Sequence, residues 1–114
     1  RKNEDGQFVW PGFGDNARVL KWIVERLEGQ AEAVDTPVGR VPSKAALDLS
    51  GLTLTDADLQ ILLDVDADVW TEEAALIPAF YEKFGDRLPK ALWGQHAALT
   101  KRLEEARAAK LAAE

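Results

Sequence analysis

Phe8-Val-Trp-Pro-Gly-Phe-Gly-Asp-Asn16 packs three aromatic side chains, a proline and two glycines into nine residues, and no other part of the chain resembles it. Working outward, Gln7–Trp10 has the character of a strand. Side chains alternate along a strand, so Phe8 and Trp10 share one face, and Pro11 ends the ladder because it has no N–H to donate. Gly12 and Gly14 flank Phe13, which lets the backbone bend sharply and lets something flat approach it closely. Asp15 or Asn16 then stands where a helix cap belongs. Upstream, Asp5-Gly6 is a hairpin signal, from which Gln7–Trp10 would return as a strand paired with one that precedes Arg1.

Downstream the pattern turns helical. Val19, Leu20, Ile23, Val24 and Leu27 form one apolar stripe, and Gly29 supplies a left-handed stop. Residues 30–54 are turn-rich, with Thr36-Pro-Val-Gly-Arg-Val-Pro42 as a short extended piece and no regular helix expected. Thr55-Asp-Ala-Asp58 has capping-box spacing ahead of Leu59, Leu62 and Leu63, which predicts a short helix. Asp66 or Asp68 can cap the next helix, built on Val69, Trp70, Ala74, Ile77, Phe80, Tyr81 and Phe84, with a kink or break expected near Ala75 because Pro78 interrupts it. Pro89 suits the first turn of a last helix carrying Leu92, Leu99 and Leu103, with Trp93 and His96 beside the stripe. After Glu104 there is little left to bury, so a frayed tail is expected. The fold class is mainly α: one aromatic N-terminal strand and about four helices.

Composition narrows the function. Fourteen basic against twenty acidic side chains give a net charge of −6, which argues against a phosphate backbone as partner, so no nucleic acid is expected. The chain has no cysteine, which permits a reducing compartment, and a cytoplasmic location is the expectation. No apolar run approaches the roughly 20 residues that span a bilayer, so no membrane partner is expected. There is no methionine, even at position 1, and the chain reads as a piece of a longer protein. Such a piece exposes surface its remainder would cover, so self-association is expected, with the Phe8–Trp10 strand either pairing with a second copy or lying disordered.

Chemistry has few places to sit. His96 is the sole histidine and has no second nitrogen or sulfur ligand at metal spacing. Asp64, Asp66 and Asp68 alternate like the start of a calcium loop but lack its glycine and closing glutamate. Phosphate loop, nucleophile elbow and paired carboxylates are all absent, so no catalytic residue and no metal ligand is assigned. The Phe8–Asn16 stretch supports two readings. In one it is a packing corner. In the other it is a purine slot, where Phe13 stacks on a base and Asn16 reads its edge, its acceptor and paired donors complementing the N–H groups and O6 of guanine better than adenine. A third possibility, of a different class, is an autonomous helical module that binds a partner protein through its apolar stripes.

The words Phe8-Val-Trp-Pro-Gly-Phe-Gly-Asp-Asn-Ala-Arg-Val-Leu20 closely resemble the guanine-binding segment of the GTP-dependent phosphoenolpyruvate carboxykinases. The likeness continues through Trp22–Gly29, Thr36–Pro42, Leu47–Leu52 and Phe84–Pro89. It implies that residues 1–114 are the C-terminal part of the nucleotide-binding lobe of a larger α/β enzyme: strand and guanine-binding turn over 1–16, helix over 17–29, a turn-rich segment over 30–54 and a helical segment over 55–114. Such enzymes convert oxaloacetate and GTP to phosphoenolpyruvate, GDP and CO₂ in gluconeogenesis, with manganese at the active site and magnesium accompanying the nucleotide. Carried onto this chain, the resemblance makes Phe8 and Phe13 two of three phenylalanines around guanine and Asn16 the reader of its edge, with Gly14 and Asp15 in the same turn. The third phenylalanine, the phosphate loop, the metal ligands and the substrate arginines belong before Arg1, so the piece is expected to be inactive alone.

Overall fold

The computed structural model describes residues 1–114. It contains four α-helices, α1 (Asn16–Leu27), α2 (Asp56–Leu63), α3 (Ala67–Glu82) and α4 (Lys90–Ala113), and one two-stranded sheet, β1 (Ala33–Thr36) with β2 (Gly39–Pro42). Short 3₁₀ turns occupy Phe13–Asp15 and Gly85–Arg87. The chain divides into two compact units: residues 1–36 with 40–64, and residues 37–39 with 65–114. No helix is long and apolar enough to cross a membrane.

In the first unit, the hairpin forms within the chain itself. Gly6 adopts the left-handed conformation with φ 75°, and the Asn3 carboxamide braces the turn by accepting from the Gln7 N–H at 2.9 Å. The expected aromatic strand shrinks to a single antiparallel bridge, Lys2 with Phe8. Arg1 and Lys2 supply the pairing edge; the Val9 N–H donates to the Arg1 carbonyl at 3.0 Å. Val9 is the buried member of this segment while Phe8 faces solvent. Arg1 also donates from Nη1 to the Ile61 carbonyl of α2 at 2.8 Å.

Helix α1 ends as its sequence demands, with Gly29 at φ 75° and the Gln30 N–H reaching back to the Glu25 carbonyl at 2.8 Å. Its orientation is the surprise. Trp22 is buried, with its indole N–H on the Glu32 carbonyl at 2.9 Å. The stripe of Val19, Leu20, Ile23, Val24 and Leu27 is exposed, reaching 83% at Leu27. The face turned toward the unit carries Arg18 and Trp22, whose polar ends find partners there. Arg18 Nη1 donates to the Asp48 carbonyl and Lys21 Nζ to the Asp48 carboxylate, both at 2.8 Å. Hydrogen bonds from Lys21 and then Ser50 hold the Asp48 carboxyl far below the usual carboxylate range.

The extended piece at Thr36–Pro42 is half of a hairpin, turning at Pro37 and Val38. The capping box of α2 is present in full: the Asp58 N–H donates to Thr55 Oγ1 at 3.1 Å and the Thr55 N–H to the Asp58 carboxylate at 2.9 Å. Leu59 is then buried.

The second unit is an antiparallel helical hairpin of α3 and α4. Asp66 caps α3 by accepting from the Asp68 N–H at 2.9 Å. The expected break near Ala75 does not occur; α3 runs unbroken through Pro78. Pro78 has no N–H for the Ala74 carbonyl one turn back. That carbonyl instead meets His96 Nε2 of α4 at 2.8 Å, which fixes Nε2 as the protonated ring nitrogen. Around this bond Ala74 and Leu103 are buried, Leu103 to 1% exposure, and Tyr81 stacks edge-on against Trp93. The tail after Glu104 is helical to Ala113 and not frayed. Asp68, near the start of α3, receives Arg107 Nε at 2.7 Å and Lys110 Nζ at 3.2 Å, contacts made 39 and 42 residues away in sequence. Lys110, with Arg107 behind it, lowers the Asp68 carboxyl below its ordinary value.

Candidate functional site

The site is built where the N-terminal hairpin meets α1. Pro11 stops the pairing, and Gly12 then takes φ 144° with nothing within 4 Å of a β-carbon placed there. Its backbone conformation alone requires glycine. The chain next closes a 3₁₀ turn, Phe13–Asp15, sealed by the Asp15 N–H on the Gly12 carbonyl at 3.1 Å, and enters α1 at Asn16. Asp15 stands at the cap position in helical conformation, and its side chain makes no cap bond. It is held instead by Arg18 Nε at 3.0 Å, and Arg18 is in turn anchored on Asp48. Both residues expected as a side-chain cap are therefore engaged elsewhere.

Of the five residues singled out, Phe13 is the most open: 91% of it is exposed, at the tip of the turn. Phe8 is 77% exposed, and the Lys2 ammonium sits 4.9 Å from its ring centre, a cation over one aromatic face. The two rings lie on either side of the Pro11-Gly12 turn in sequence and make no ring contact with each other. Space above Gly14 is empty to 4 Å. Trp10 of the same stretch is half-buried.

Asn16 is brought together with a residue that the sequence reading placed only on the strand face. The Trp10 indole Nε1–H donates to Asn16 Oδ1 at 2.8 Å across the turn. One signal for it was present: a tryptophan N–H that is partly covered needs an acceptor, and Asn16 is the first uncommitted carboxamide past the tight turn.

Metals find nothing here. No group of three or more His, Cys, Asp or Glu side chains converges, Asp66 serves as a cap and Asp68 is paired with two cations. The donor set does not fit manganese or magnesium, and no metal-dependent step is assigned to these residues. Nor does any Gly-x₄-Gly-Lys-Ser/Thr phosphate loop occur in the 114 residues.

Known proteins resemble this chain along most of its length. Residues 1–102 match the family model described as the phosphoenolpyruvate carboxykinase C-terminal P-loop domain. The chain is 52% identical over 105 residues to a GTP-dependent phosphoenolpyruvate carboxykinase of Arthrobacter sp., covering 92% of this chain and 17% of that protein. Identity is 47% over 106 residues to the corresponding protein of Neocallimastix frontalis, covering 92% and 17%, and 43% over 106 residues to the mitochondrial one of mouse, covering 92% and 16%. The chain thus spans about one sixth of the length of the relatives it matches. With the match running from the exposed aromatic turn through α1 and the capping-box helix into α4, this chain belongs to the GTP-dependent phosphoenolpyruvate carboxykinase family.

Proposed function

We propose that these residues form one wall and the reading edge of the guanine site of a GTP-dependent phosphoenolpyruvate carboxykinase. In that enzyme oxaloacetate and GTP become phosphoenolpyruvate, GDP and CO₂, a gluconeogenic reaction in the cytoplasm supported by manganese and magnesium held elsewhere. The observation that carries the reading is the turn itself: Phe13 stands 91% exposed beside an empty space over Gly14, while Asn16 offers a carboxamide from the first turn of α1. A flat base stacked on Phe13 gains about 1–3 kcal/mol. Gly14, with neither a strained φ nor a crowding neighbour, keeps that approach open. Phe8 and Asp15 belong to the same region in supporting roles, Phe8 as a second aromatic surface and Asp15 through its grip on Arg18.

Alone, the chain is inactive in this reading, because neither phosphate loop nor metal ligands lie within it. The exposed stripe of α1 is then surface covered by the remainder of the enzyme. Isolated in solution, the 114-residue chain is expected to self-associate through that stripe; sedimentation velocity checks this, and a monomer at all concentrations contradicts it.

The test of the guanine assignment is Asn16→Ala in a full-length carboxykinase carrying these residues. Removing the carboxamide leaves buried base groups unpaired, so the preference for GTP over ATP is expected to fall about tenfold. Titration with both nucleotides reads this out, and equal loss for both sinks the role given to Asn16.

A further inference from the structure

A carboxamide can present either end to a ligand, and which end faces outward decides which base edge it matches. Asn16 has a partner that settles the choice. The indole of Trp10 is a donor only, so the atom it meets at 2.8 Å is the Asn16 oxygen, and the amide nitrogen with its two N–H groups is left facing away from that bond. Rotating the carboxamide by half a turn would set two donors against each other. Trp10 is itself half-buried and sits on the far side of the Pro11-Gly12 turn from Asn16. The turn is shaped by the φ of Gly12 and sealed by the bond from the Asp15 N–H to the Gly12 carbonyl. The donor is therefore held by the fold and does not depend on a ligand to place it.

Building on the guanine reading above, we propose that Trp10 is a positioning residue that sets purine selectivity: its indole N–H locks the Asn16 carboxamide with the amide outward, toward the 6-oxo group of a purine and against a 6-amino group. A 6-oxopurine offers O6 as an acceptor to the free Asn16 N–H. Adenine presents a donor at the same place and meets the amide donor to donor. With the lock released, the carboxamide rotates and offers its oxygen to the adenine amino group, so the site loses discrimination without losing its stacking surface. The Asn16 N–H groups meet O6 alone in this arrangement, so a purine with O6 but no 2-amino group meets Asn16 in the same way.

The test uses the full-length enzyme with GTP, ITP and ATP as probes and Trp10→Phe as the variant, which keeps an aromatic ring and deletes only the N–H. The GTP:ATP affinity ratio is expected to fall about 2- to 12-fold, the worth of one neutral hydrogen bond, with ITP weakened in step with GTP. In an Asn16→Ala background the same substitution is expected to leave the ratio unchanged, since there is no carboxamide left to orient. Trp10→His, which restores a ring N–H, is expected to recover part of the ratio and guards against a folding defect in the phenylalanine variant. An unchanged ratio in Trp10→Phe, while Asn16→Ala alone lowers it, overturns the lock and leaves the guanine reading intact. Equal weakening of all three nucleotides also overturns it, since that marks a merely structural tryptophan. If Asn16→Ala itself leaves the ratio untouched, the guanine reading falls and the lock with it.

Discussion

Phe13→Ala in the full-length enzyme is expected to weaken GTP about 5- to 150-fold, the range that corresponds to losing one base-stacking surface. The effect is large because Phe13 contributes little else. At 91% exposure it buries almost nothing against residues 1–114, so within this chain its removal is expected to cost less than about half a kcal/mol, as at other surface positions. Binding and stability thus separate at this residue. Stacking is sequence-tolerant, since every base has a flat face, and ATP is expected to weaken alongside GTP. That is the opposite of the pattern expected for Asn16→Ala, where selectivity changes, and the pair of variants divides grip from reading. Isothermal titration with both nucleotides, beside a thermal melt, checks the prediction; unchanged GTP affinity with a lowered melting temperature would assign Phe13 to packing.

His96→Ala is expected to destabilise the α3–α4 hairpin by about 1–3 kcal/mol, the cost of leaving a buried acceptor without its partner. The orphan is the Ala74 carbonyl. Pro78 removes the N–H that would ordinarily bond it, and His96 Nε2 fills the vacancy at 2.8 Å from the neighbouring helix. This assignment carries its own control. Pro78→Ala restores a backbone N–H one turn downstream, so in the Pro78→Ala background the His96→Ala substitution is expected to cost much less. Chemical denaturation of the four proteins gives the cycle. Additive losses would show that the histidine serves by bulk and ring contact with Tyr81 and Trp93 alone.

The helix caps and stops were the most legible part of the chain, because their chemistry is local. Thr55 with Asp58, Asp66 and Gly29 act where their residue types place them, and Pro89, expected in the first turn of α4, stands one residue before it at the N-cap. Features decided by distant residues were not legible. The frayed tail fails because Asp68 reaches Arg107 and Lys110 from the other end of the hairpin, and the break at Pro78 fails because His96 satisfies the freed carbonyl. Helix α1 shows a subtler limit. Its stripe is read correctly as apolar, but periodicity says only that a face wants cover, and Trp22 with its own hydrogen bond takes the inward position instead.

The candidate site was readable in its residues and not in its wiring. Phe8, Phe13, Gly14, Asp15 and Asn16 draw attention by type and spacing, yet spacing cannot distinguish a buried corner from a presented one. Exposure of Phe8 and Phe13 makes that distinction. Asp15 or Asn16 is the expected cap; Asp15 is tied to Arg18 and Asn16 accepts from Trp10. The Trp10 bond spans the Pro11-Gly12 turn, whose shape follows from a glycine φ that no periodicity records.

The guanine assignment is tested most directly by a crystal structure of the full-length enzyme with GTP bound. The base is expected to lie stacked on the Phe13 ring, with its O6 within ordinary hydrogen-bond distance, about 2.7–3.2 Å, of Asn16 Nδ2, and with the Trp10 bond to Asn16 Oδ1 intact. A guanine bound elsewhere, with Phe13 and Asn16 still facing solvent, would contradict it.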